Sequence, residues 1–97
     1  MKVWVDDVRP KPPEFDVWLK TADAAITVLR TGGVTHMSLD HDLGEEKTGY
    51  DIAKFIEEAA YKKTLAPLTI VVHSANPVGH KNIKTAIERA EMFWSEK

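Results

Sequence analysis

The sequence predicts an α/β domain with a mostly parallel sheet of about four strands. Short apolar runs rich in β-branched residues alternate with longer segments whose apolar residues recur at helical spacing, the pattern of successive βα units. Polar clusters stand directly after three of the apolar runs, at the carboxyl ends of strands, where open α/β sheets hold ligands.

Val3-Trp4-Val5 is the first run, and it stops at Asp6-Asp7. Pro10, Pro12 and Pro13 then exclude a regular helix, because each lacks an amide donor and restricts its neighbour. Phe15–Leu19 reads as a weaker second strand. Thr21 can cap a helix carrying Ala22, Ala25, Ile26 and Leu29 on one face, and Gly32-Gly33 closes it. His36–Leu39 is a strand ending at Asp40. Thr48 with Asp51 forms a capping-box start for a helix whose core face is Ile52, Phe55, Ile56 and Ala59. Leu68–Val72, the most continuous apolar run, suits a central strand buried on both faces. After Ser74-Ala75-Asn76-Pro77 comes a third helix with Ile83, Ala86, Ile87, Ala90 and Phe93 at its core spacing.

At 97 residues there is room for one core, so residues 1–97 are read as one domain. A net charge of -2, with basic residues scattered, argues against a dedicated nucleic-acid groove. The absence of cysteine rules out a disulfide framework and thiolate metal sites. The first residues reach charge too soon for a secretory signal, and no apolar run could span a bilayer; the expectation is a cytoplasmic protein without a membrane partner. So small a core leaves room for a bound metal or a homodimer interface to add stability.

The three polar clusters are Asp6-Asp7-Val8-Arg9, Asp40-His41-Asp42 and His73-Ser74-Ala75-Asn76. If their strands are parallel neighbours, all three share one rim. Two carboxylates about 4 Å apart near a protein surface repel by roughly 4 kcal/mol, so such a group takes up protons or shares a cation. Oxygen ligands without thiolate select hard ions, Mg²⁺ or Mn²⁺, and the expected metal set is Asp6, Asp7, Asp40 and Asp42. Aspartates at these positions also serve turns, and Asp42-Leu43-Gly44 reads equally as one. Arg9 would clamp phosphate oxygens if it faces the rim. His41 and His73 are the candidate proton-transfer groups, and in a variant of the same chemistry Asp40 is the nucleophile, through an aspartyl-phosphate. Ser74, Asn76 and, from the first turn of the last helix, His80 are expected to join Arg9 in holding phosphate. His36 and the three tryptophans read as structural.

Asp6-Asp7, Asp40 and Ser74 stand where response-regulator receivers carry their acidic pair, their phosphoacceptor aspartate and their Ser or Thr, and Thr48–Ala53 resembles the receiver segment opening the following helix. The resemblance implies a small flavodoxin-like three-layer sandwich, truncated relative to a full receiver. No fifth strand with its lysine follows, and a Pro-rich loop replaces the first receiver helix. The strings VDDVR, SLDHDLG and HSANPVG are similar to the compact cyclic-phosphate-processing receiver domains, for which the resemblance implies a metal-dependent activity on a cyclic phosphate of a nucleotide or related metabolite. That reading makes the chain a phosphoesterase-type hydrolase. The alternatives are a signalling switch phosphorylated on Asp40 and a non-catalytic module that binds a nucleotide or cyclic phosphate. A haloacid-dehalogenase-like phosphatase is set aside, because its Asp-x-Asp follows the first core strand and this one follows the third.

Overall fold

The computed structural model describes residues 1–96. Seven elements follow one another: β1 (Lys2–Val5), β2 (Val17–Leu19), α1 (Ala22–Thr31), β3 (His36–Leu39), α2 (Gly49–Tyr61), β4 (Thr69–Val72) and α3 (Pro77–Ser95). The strands form one sheet in the order β2-β1-β3-β4, every pair parallel. The fold is the α/β, receiver-like one expected, with β2 confined to the last three residues of its predicted run. One helical layer stands where a three-layer sandwich has two, because the Pro-rich segment replaces the helix of the other face. Among the described residues, no helix is long and apolar enough to cross a membrane.

Each helix starts where a side chain replaces a missing backbone partner. Thr21 Oγ1 accepts from the Ala24 amide. At α2, Thr48 Oγ1 accepts from the Tyr50 amide while the Asp51 carboxylate accepts from the Thr48 amide, the reciprocal arrangement read from the sequence. Asn76 Oδ1 accepts from Gly79 N, and Pro77 supplies a first helical residue that needs no acceptor.

Strand parity divides the sheet into two unlike faces. Val3, Val5, Met37 and Leu39 point one way and are almost wholly buried with Ala25 and Leu29 of α1, Ile52 and Ile56 of α2, and Ile83 and Ile87 of α3. The crossovers β2-α1-β3 and β3-α2-β4 both step toward β4, and right-handed connections then put both helices on one face. α2 packs on α1 and more extensively on α3. On the other face the covering layer is the Pro-rich segment. Phe15 meets Trp4 edge-on at 5.2 Å, and the Trp4 and Trp18 indoles donate to the carbonyls of Arg9 and Asp6.

β4 departs from expectation. It is an edge strand, not a central one: Thr69 and Val71 are exposed, and only Ile70 and Val72 are part-buried. Its continuous apolar run signals burial on both faces only if a neighbour stands on each side, and the described chain supplies none beyond it.

The ladder continues one residue past each strand. Asp6 N donates to Leu19 O, Asp40 N to Val5 O and His73 N to Leu39 O, at 2.9–3.1 Å, which brings Asp6, Asp40 and His73 level. Beneath them α2 begins almost in contact with the β3 end: a Cβ on Gly49 would stand 2.0 Å from Asp40 O and 3.1 Å from Ile83 Cδ1. Gly49→Ala is therefore expected to lower stability by about 1–3 kcal/mol through overpacking, although alanine is the better helix former. Urea unfolding checks this, and an unchanged or raised midpoint would show that the contact yields freely.

Candidate functional site

Asp6 is the most constrained polar residue of the rim. Its side chain is 1% exposed, Oδ1 accepts from the amides of Val8 and Arg9 at 2.8 and 2.7 Å, and Oδ2 accepts from His73 Nε2 at 3.0 Å. Burial pushes its carboxyl up, but the two amides and the His73 bond outweigh that and hold it below the ordinary aspartate range. The Asp-Asp-Val-Arg order accounts for the local turn: an aspartate whose side chain binds amides two and three residues on reverses the chain without a helix or strand.

Asp7 and Asp40 complete a group with Asp6 in which one carboxylate oxygen from each lies within 4.8 Å of the others. Both are part-buried. Asp40 Oδ1 accepts from the His41 amide at 2.8 Å, which turns the carboxylate back over the end of β3. The Gly44 backbone returns close to Asp7, so that a Cβ there would stand 2.7 Å from Asp7 Oδ2.

Asp42, the fourth expected ligand, stands outside this group. It is exposed, and its Oδ1 accepts from His41 Nδ1 at 2.9 Å. That bond, with a further one from Asn76, holds its carboxyl below the ordinary range. The physical reason is the turn after β3: two residues past Asp40 the chain has swung toward the start of α3, where His41 and Asn76 compete for the oxygen. The His41 ring packs against α3, filling the space a Cβ on Gly79 would need, 2.3–2.7 Å away.

His73 is engaged at both nitrogens. A carboxylate only accepts, so Nε2 carries the proton toward Asp6, and in the neutral ring Nδ1 accepts from the Ser38 hydroxyl at 2.7 Å. The ring also stacks on Trp4, centroids 3.9 Å apart and planes 4° from parallel. His73 thus holds Asp6 in place and presents no free nitrogen to the rim. Ser38, mid-strand and buried, is a member of this network that sequence reading missed; its polar character between Met37 and Leu39 is the only signal for it.

The remaining candidates divide. Arg9 is exposed and its Nη1 donates to His73 O at 3.3 Å, which keeps the guanidinium at the rim. Ser74 Oγ accepts from the Asn76 amide, so its own hydroxyl proton stays available. Asn76 is committed through Oδ1 to capping α3. His80 is not brought to the rim: it lines a crevice with Ile70, Val72 and Lys84 between β4 and α3, because its place in the first turn of α3 faces the open sheet edge.

Two outcomes follow from the Asp6 network. His73→Phe keeps a ring on Trp4 but removes both hydrogen bonds, and it is expected to cost about 1.5–3 kcal/mol in urea unfolding, the range for a bond to a charged group. Because Asp6 titrates lower folded than unfolded, its contribution is complete above the ordinary value of 3.8 and is lost as pH falls through its depressed folded value. With chelator present, Asp6→Asn should flatten that acid limb of stability; an acid limb identical to wild type would remove Asp6 as its source.

The model of the cyclic-phosphate processing receiver domain matches residues 1–89. No curated protein and no solved structure matches the chain. With the match running from β1 into α3 and covering every strand and all three polar clusters, the chain belongs to the cyclic-phosphate processing receiver domain family.

Proposed function

We propose that the chain is a metal-dependent phosphoesterase acting on a cyclic phosphate of a nucleotide or related metabolite, with Mg²⁺ or Mn²⁺ held by Asp6, Asp7 and Asp40. The observation that carries this reading is the convergence of three carboxylates from two strand ends, one of them buried and held ionised by its hydrogen bonds. Uncompensated, such a group is repulsive; the donor set is all oxygen, which suits a hard divalent cation. When bound there, the ion supplies charge neutralisation and Lewis-acid polarisation of the phosphoryl group.

The chain's own residues take the other roles. The Arg9 guanidinium neutralises charge developing on the phosphoryl oxygens, and the Ser74 hydroxyl donates to one of them. Of the two candidate histidines, His41 is the one with a nitrogen to use. Asp42 fixes its Nδ1 proton, which leaves the Nε2 lone pair to take a proton from water or, once protonated, to return one to the leaving oxygen. Asp42 acts through His41, not as a ligand. His73 keeps Asp6 ionised and oriented, a role that in metal sites is worth about 10–100-fold in affinity when removed.

A hydrolysis screen of cyclic nucleotides and smaller cyclic phosphates with Mg²⁺ or Mn²⁺ tests the reading. Turnover should vanish with chelator, fall at least about 10²-fold in Asp40→Asn, and fall with weakened metal binding in His73→Ala. If neither variant loses activity or phosphate binding, the site assignment fails. Labelling of Asp40 by acetyl phosphate without turnover would identify a phosphoacceptor switch instead, and tight binding of a cyclic phosphate without turnover a sequestering module.

A further inference from the structure

The open edge of β4 and the face of α3 beside it form a surface that the rim chemistry does not use. Among the described residues β4 pairs with β3 alone, and Thr69-Ile70-Val71-Val72 contains no charge and no proline, devices by which edge strands refuse a neighbour. Val71 is 55% exposed on the face away from the helices. On the helix side, Ile70, Val72 and Ile87 floor the crevice between β4 and α3. Its wall is a stripe of α3 residues at spacings of four, four and three: His80 and Lys84, then Glu88 and Glu91. Among the described residues, Lys84, Glu88 and Glu91 form no ion pair. Met92, 65% exposed, flanks the acidic end.

A helix face that is basic in one half and acidic in the other repels a parallel copy of itself and attracts an antiparallel one. An unpaired strand edge meets its own copy in the same antiparallel sense about a two-fold axis. The two requirements coincide here. We propose that a second copy of this chain docks on this surface, β4 beside β4 and α3 beside α3, both antiparallel. Val71 meets its counterpart near the axis, Ile70 and Val72 close over each other on the helix side, and Lys84 faces Glu88 and Glu91 of the second copy. The inference does not depend on the metal reading, since no rim carboxylate takes part.

Sedimentation equilibrium across micromolar to millimolar protein tests it. The wild type should show twice the mass of the chain. Val71→Lys and Lys84→Glu each alter an exposed side chain, so circular dichroism should show both folded, and each should weaken association at least about tenfold. Combining Lys84→Glu with Glu88→Lys and Glu91→Lys restores the charge pattern in reverse and should restore the dimer. A single-chain mass at the highest concentration overturns the proposal, as does a wild-type dimer that neither single substitution weakens.

Discussion

The interaction on which the rim depends is the set of three hydrogen bonds to the buried Asp6 carboxylate. Two come from the chain immediately following, and they fold the Asp-Asp-Val-Arg segment into its turn; the third comes from His73, beyond two intervening strands. Without them a carboxylate at 1% exposure would be driven toward its neutral form and the group with Asp7 and Asp40 would lose a charge. The Arg9 amide is one of the donors, and the His73 carbonyl then accepts from its guanidinium. His73 in turn is kept by Ser38 and by the Trp4 ring, so the geometry of one carboxylate reaches into β1, β3 and β4 at once.

A second constraint is the uneven covering of the sheet. With the described helices on one side, the other side is covered by the proline segment, with Trp4, Trp18 and Phe15 packed beneath it. That segment both covers the sheet and carries Arg9 to the rim, which is a use of the chain between β1 and β2 that a helix there would not allow. The edge position of β4 has the opposite effect: among the described residues a face of α3 and an edge of the sheet have no partner.

Much of this was legible in the residues because the signals are local. Thr48 and Asp51 state their capping box three residues apart, Gly32 ends α1, and Asp6-Asp7 and Asp40 mark strand ends by interrupting apolar runs. What escaped sequence reading depends on partners far along the chain. The hydrogen bonds that occupy both nitrogens of His73, a proton-transfer candidate, come from Ser38 and Asp6, 35 and 67 residues away. Asp42 read equally as a ligand or a turn residue, and its separation from the other three carboxylates rests on a bond to His41 that residue order alone does not announce. β4 looked central because hydrophobic continuity records what a strand can bury, not whether its own chain provides the neighbour.

The separation of 67 residues between Asp6 and His73 also governs when the rim can exist. A nascent or truncated chain ending before β4 already contains Asp6, Asp7 and Asp40, yet it lacks the imidazole that fixes the first of them. Such a fragment keeps the two local amide bonds to Asp6 Oδ1 but leaves Oδ2 without its donor. The full hydrogen-bond set on Asp6 therefore arises only once the fourth strand has added to the sheet, and local fraying of that strand is enough to undo it again.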